Sequence, residues 1–225
     1  MGDSPLAERL SRVQQGIEAA ARDAGRDASE LTTIVVTKFH PVDLIRELYD
    51  LGVRNVGESR HQEAQGKAAA LADLDLTWHF VGQVQSNKAR QVARYARVIH
   101  SIDRPALVEA LDQPERRLDC FVQINLTAEA GRGGVALEAL EPLVDKVLDV
   151  PRLNLLGVMA VAPIDEEPRR AFARLRIASE RVRAIASGAT SISAGMSQDY
   201  AAAIAEGATH LRIGTAITGN RPAHG

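Results

Sequence analysis

Among the four lysines of this 225-residue chain, Lys38, Lys67, Lys88 and Lys146, only Lys38 closes a run of β-branched residues, Thr32-Thr33-Ile34-Val35-Val36-Thr37. A primary amine there can attack a carbonyl to form an imine, provided it is uncharged, a state favoured by apolar burial and a nearby cationic arginine. Far downstream lie Gly195-Met196-Ser197-Gln198-Asp199 and Arg212-Ile213-Gly214-Thr215. Hydroxyls, free backbone N–H groups at a helix start and a glycine that admits close approach together make an anion cradle. Arg212 and Gly214 are two apart and share one face of a strand. An amine at one end of a pocket and an anion nest at the other suit a phosphorylated aldehyde. Singly, each piece has a plainer role: a solvated lysine, a helix cap, an arginine in an ion pair. Their joint placement at one mouth is what favours chemistry.

That placement needs a scaffold, and hydrophobic periodicity supplies one. Strands are predicted at residues 32–38, 53–58, 78–82, 98–103, 120–126, 153–161, 190–196 and 210–217. Helices alternate with them, including residues 42–49, 105–111, 137–148, 168–185 and 199–206, with Ser59 and Ser86 expected to cap the two helices in between. A helix over residues 5–24, with Leu6, Leu10, Val13 and Ile17 on one stripe, precedes the first strand. Eight alternations without a linker predict a single α/β domain over residues 1–225, a (β/α)8 TIM barrel, with a doubly wound open sheet as the competing topology. Few residues follow the last strand, so the N-terminal helix is expected to complete the outer ring. In a closed barrel the first and last strands are neighbours, which brings Lys38 to Arg212 and Thr215. The glycine-rich stretch from Thr127 to Gly134 reads as the most mobile loop.

Composition narrows the partners. A net charge of -2 offers no basic field for nucleic acid or acidic lipid, and Glu166, Glu167 and Glu180 interleave the arginines of the 168–185 helix. One cysteine, Cys120, excludes an internal disulfide and suits a reducing compartment. With neither a secretory leader nor an apolar span long enough for a bilayer, the expectation is cytoplasmic. The six histidines, His40, His61, His79, His100, His210 and His224, are scattered in sequence without ligand spacing, so structural roles are expected and no metal. Glu58, at the exit of the second strand, is expected either to face the mouth or to form an ion pair in the rim.

Thr37-Lys38, Gly57-Glu58 with Gln62-Glu63, the segment from His79 to Lys88 (HFVGQVQSNK), Ser193 to Asp199 (SAGMSQD) and Arg212 to Ile217 (RIGTAI) closely resemble the pyridoxal phosphate homeostasis protein family, from residue 31 to about residue 221. The resemblance implies a barrel similar to the N-terminal domain of alanine racemase, with pyridoxal 5′-phosphate bound to Lys38 as a Schiff base. It also implies that Ser197, Gly214 and Thr215 hold the phosphate, that Arg212 faces the pyridine nitrogen and that Met196 lies by the ring. The chain departs from the family pattern in three places: Ser59-Arg60 stands where Asn-Tyr is usual, Ala194 replaces a methionine, and Arg132 replaces a lysine of the glycine-rich loop.

The function implied is a carrier and regulator of the cofactor, without turnover, acting as a monomer and handing the aldehyde to apo-enzymes that need it. An arginine at the ring nitrogen weakens the electron sink that carbanion chemistry requires. The alternative is a small racemase or lyase with Lys38 as base and His79 or Tyr49 as acid; a third reading is a cofactor-free Schiff-base aldolase.

Overall fold

The computed structural model describes residues 4–112, 116–127 and 132–220. Helix α1 (Pro5–Asp23) precedes eight strand–helix units. They are β1 (Thr32–Val36) and α2 (Val42–Asp50), β2 (Asn55–Glu58) and α3 (His61–Ala70), β3 (Thr77–Phe80) and α4 (Ala89–Tyr95), and β4 (Val98–Ile102) and α5 (Pro105–Ala110). Then follow β5 (Leu118–Gln123) and α6 (Leu140–Leu148), β6 (Leu153–Met159) and α7 (Pro168–Ile185), β7 (Ser191–Ser193) and α8 (Tyr200–Ala205), and β8 (His210–Ile213) with the short α9 (Thr215–Thr218). The strands pair in parallel in sequence order, and β8 pairs back onto β1 from Thr32↔His210 to Val35↔Ile213. The barrel is therefore closed, and the open-sheet alternative is excluded.

Helix α1 starts at Ser4, whose hydroxyl takes the Ala7 N–H at 3.2 Å, with Pro5 in the first turn. Its stripe of Leu6, Leu10, Val13, Ile17 and Ala21 is buried. Arg9 donates to the Ile217 carbonyl at 2.6 Å and Arg26 to the Ala208 carbonyl at 2.6 Å, which ties the chain's start to the wall built from its last elements. A helix does follow β8, contrary to expectation, but α9 spans only four residues, and α1 packs beside it.

Several strands are shorter than their apolar runs. Residues 37–38, 81–82, 160–161, 194–196 and 214–217 lie past the strand ends, on the C-terminal side of the barrel. Side-chain type marks a buried run, whereas the last ladder hydrogen bond is set by where neighbouring strands diverge. Neither serine cap is present. The N-cap of α3 is Arg60, without a side-chain bond, while Ser86 opens a 3-10 turn (Ser86–Lys88) ahead of α4 and accepts from Arg104 at 3.2 Å.

The main apolar core lies between the strands and the helix ring, where Leu48, Val92, Leu107, Val144 and Leu175 are buried. Cys120 is in this layer, and burial pushes its thiol up to about 12. Inside the barrel, Val98, Phe121 and Met159 form only a small apolar cluster beside His79, His100 and His210. On α7, Arg174 pairs with Glu166, Arg176 with Glu180 and Arg181 with Glu141, as expected of a solvated face. Among the described residues no helix is long and apolar enough to cross a membrane, and no group of three or more His, Cys, Asp or Glu side chains could hold a metal ion.

Candidate functional site

Side chains alternate across a strand, so inward positions climb in steps of two toward the C-terminal face, where barrels of this kind carry their sites. On β1 and its extension these are Ile34, Val36 and Lys38; on β2, Asn55, Gly57 and Ser59; on β3, His79 and Val81; on β8, Arg212 and Gly214. The uppermost members line a cavity of about 360 Å³ with Val161, Met196, Ser197, Gln198, Asp199 and Thr215. All six residues singled out from the sequence, Lys38, Met196, Ser197, Arg212, Gly214 and Thr215, line this one cavity. Val36, Ser59, Val81, Val161, Gln198 and Asp199 are additional. Ser59 was read as a helix cap, yet it stands in the wall, so the departure from the family pattern at this position touches the cavity directly.

Lys38 is exposed, not desolvated among apolar neighbours. Its place at the open mouth follows from Phe39, the sole non-glycine with a positive φ (+68°) among the described residues. This left-handed residue turns the chain off β1, an unfavourable conformation for a bulky side chain that its surroundings must hold. The Phe39 N–H donates to Glu63 Oε1 at 2.6 Å, and His40 N–H donates to the Thr37 carbonyl at 3.1 Å. Two cations lie over the Phe39 ring, with Lys38 Nζ 5.9 Å and Arg60 Cζ 5.3 Å from its centroid.

Glu58 does not face the mouth. Thr37 and Glu58 occupy outward positions beneath α3, where Thr37 Oγ1 donates to Glu58 Oε1 at 2.7 Å and buried Lys67 donates to the same oxygen at 2.8 Å. Lys67 also donates to the Thr37 carbonyl at 2.8 Å and to Glu63 at 3.1 Å. Burial raises the Glu58 carboxyl above its ordinary range, against the pull of Lys67. The second oxygens of Glu58 and Glu63 are buried without partners. This cluster fixes the residues on either side of Lys38.

At the far wall, Gly195 has φ +92°, and a Cβ there would lie 2.8 Å from Ala203 Cβ and 3.0 Å from Tyr200 Cα. Only glycine fits, and the turn it makes carries Met196, whose N–H donates to Asp199 Oδ1 at 2.5 Å. Ser197 Oγ accepts the Ala216 N–H at 3.3 Å, joining the β7 and β8 loops. Among the described residues, the backbone N–H groups of Ser197, Gly214 and Thr215 make no hydrogen bond to the protein. They are available to an anion. Gly82, within the HFVG motif, is explained by close approach, since its Cβ would sit 2.3 Å from the Ser59 carbonyl oxygen.

Arg212 forms the cavity floor and is 5% exposed. It donates to Ser193 Oγ at 2.6 Å and to the Ala160 carbonyl at 2.9 Å. Burial lowers it to about 10, so it stays a cation at neutral pH. Behind it the supposedly scattered histidines converge: His100 Nδ1 lies 2.8 Å from Ser193 Oγ, and His100 Nε2 lies 2.9 Å from His79 Nδ1. Burial pulls His79 down to about 3, His210 down to about 4 and His100 well below its usual range, so the three rings are neutral. Each of the three lies within a predicted strand, which was the signal available, but only strand register shows that they meet.

The chain matches the alanine racemase N-terminal domain family over residues 10–222. It is 41% identical over 225 residues to the pyridoxal phosphate homeostasis protein of Pseudomonas aeruginosa, covering 97% of this chain and 96% of the relative. The chain belongs to the pyridoxal phosphate homeostasis protein family. Among solved structures, PipY of Synechococcus elongatus with PLP bound superposes with a TM-score of 0.83 at 34% identity, covering 94% of this chain and 99% of PipY. Alanine racemase of Corynebacterium glutamicum shares the fold, with a TM-score of 0.71 at 16% identity over 96% of this chain and 63% of the racemase.

Proposed function

We propose that this protein binds pyridoxal 5′-phosphate as a Schiff base on Lys38 and serves as a reversible carrier in its homeostasis, without catalytic turnover. The observation that carries this reading is the single cavity lined by an exposed amine and, across from it, by two hydroxyls and three uncommitted backbone N–H groups. The residues fit the cofactor. A phosphate of charge near -2 is matched by N–H donors at Ser197, Gly214 and Thr215, and beyond its chain neighbours the nearest atom to the point where a Gly214 Cβ would stand is Val36 Cβ at 3.7 Å. Arg212 offers only donors, so it suits a ring nitrogen that accepts. Met196, a polarizable and partly exposed side chain, suits the face of an aromatic ring. The family relation and the cofactor bound in PipY support the same assignment.

When bound, the cofactor supplies an aldehyde and an electron-withdrawing ring; the chain supplies binding, orientation and access. Several features favour a carrier over a racemase or lyase. A cationic Arg212 does not deliver the proton that would make the ring a strong electron sink. Neither His79 nor Tyr49, the acids considered from sequence, lines the cavity. The exposure of Lys38 gives water and an acceptor protein access to the imine, as exchange requires. We further propose that the barrel works as a single domain and as a monomer in the cytoplasm, delivering the aldehyde to apo-enzymes.

The test is an absorption spectrum of wild type and Lys38→Ala with added pyridoxal phosphate. A yellow imine bleached by borohydride is expected for wild type alone; a colourless wild type would instead favour the cofactor-free aldolase. Incubation of the loaded protein with single-enantiomer amino acids should give no racemisation or elimination, and turnover lost in Lys38→Ala would establish the enzyme reading.

A further inference from the structure

The interior of a (β/α)8 barrel is ordinarily filled by branched aliphatic side chains in layers. Here a row of polar side chains crosses it. Arg212 Nη1 lies 2.6 Å from Ser193 Oγ, Ser193 Oγ lies 2.8 Å from His100 Nδ1, His100 Nε2 lies 2.9 Å from His79 Nδ1, and His79 Nε2 lies 3.0 Å from Asn55 Oδ1. Ser193 and His100 are fully buried, and His79 is 3% exposed. Buried polar groups cost free energy unless every one is satisfied, and in this row each ring nitrogen has a partner.

The direction of every bond in the row follows from its two ends. At one end a guanidinium has donors only, so Ser193 Oγ accepts from Arg212. At the other, Asn55 Oδ1 only accepts, so His79 donates there from Nε2, takes a bond from His100 at Nδ1, and Ser193 turns its single O–H to His100 Nδ1. A neutral His100 then carries its proton on Nε2 and donates to His79 Nδ1. His79 in turn carries its proton on Nε2 and donates to Asn55 Oδ1. Both imidazoles are held as the same tautomer, and all four dipoles run one way, from β8 through β7 and β4 to β3 and β2. Only Arg212 of the five lines the cavity.

We propose that Asn55, His79, His100 and Ser193 are positioning residues for the cavity, acting through Arg212. The row fixes the guanidinium in place and commits one N–H of it inward, while the Ala160 carbonyl takes another. What remains to face a ligand is a donor at a set position. A ring that accepts a hydrogen bond is matched there, and one that presents N–H is refused. This inference rests on the cofactor reading above for the identity of the ring, and on the structure alone for the row.

The test has an arm for each. In unliganded protein labelled with 15N-histidine, His79 and His100 should both appear as neutral Nε2–H tautomers from pH 6 to 8. An Nδ1–H tautomer or an imidazolium at either ring overturns the polarity. In protein loaded with ring-15N pyridoxal phosphate, the ring nitrogen should resonate in the unprotonated range. His79→Leu, which removes the acceptor for His100, should shift that resonance and weaken binding about tenfold. His79→Asn, whose amide oxygen replaces the lost acceptor, should restore both to within about threefold. If His79→Leu changes only the melting temperature, leaving resonance and affinity as in wild type, these residues serve packing and the proposal is wrong. Should His79→Leu fail to fold, Asn55→Leu at the partly exposed end of the row provides the same comparison. Failure of wild type to form any imine refutes the cofactor reading, and the ligand role of the row with it, while the tautomer result still decides the row itself.

Discussion

At His79, His100 and His210, burial holds the imidazoles neutral, so each binds a proton more readily in the unfolded chain than in the folded one. Their folded values are lowered, so between about pH 4 and 6.5 the unfolded state takes up more protons and stability rises with pH. The contribution is complete above pH 6.5 and is lost on acidification, at up to about 1.4 kcal/mol per pH unit for each ring. Glu58 runs the other way, since its raised carboxyl costs stability as pH climbs above its usual range. Three groups outweigh one. The unfolding free energy in urea should therefore fall steeply from pH 6.5 toward pH 4.5; a flat profile would show that the rings are not buried neutral. None of this was readable from sequence, where the same histidines lie tens of residues apart and only barrel closure makes them neighbours.

Among the elements, the turn after β1 decides where the amine goes. The strand itself, the following helix and Lys38 at the exit were legible, because a β-branched run and then helical periodicity are local signals. The left-handed Phe39 was not, since no glycine or asparagine marks it and its stabilising partner, Glu63, sits on α3. Glu63→Ala removes the carboxylate that takes the Phe39 N–H and one anion from Lys67. It should cost about 1–3 kcal/mol of stability and reduce the yield of the yellow imine proposed at Lys38. Urea unfolding and visible absorbance measure the two effects, and a fully stable variant would mean that Phe39 is held by other contacts. The cavity wall opposite Lys38, proposed to hold the phosphate, was more legible, because SAGMSQD and RIGT carry their glycines and hydroxyls within short stretches. Ser59 was misread because a serine before a helix is more often a cap than a cavity wall.

For the whole molecule, the count of eight alternations gave the architecture, and the apolar stripe of α1 marked it as an amphipathic helix. Register and closure were beyond any local signal. Leu10, 5% exposed in that stripe, packs under the last elements of the chain. Leu10→Ala should destabilise the barrel by about 2–5 kcal/mol, read as a lower urea midpoint with an unchanged slope. A loss below about 1 kcal/mol would mean that α1 is an appendage and not part of the ring.

Closure of β8 onto β1 has a consequence for synthesis. On the ribosome Lys38 emerges long before Arg212 and Thr215, by roughly ten to thirty-five seconds at ordinary elongation rates. During that interval a nascent chain has the amine without the wall opposite it, so the cavity proposed to clasp the aldehyde does not yet exist. On the reading proposed above, loading must wait for the final strand, so the colour of a loaded protein would report that the barrel has closed.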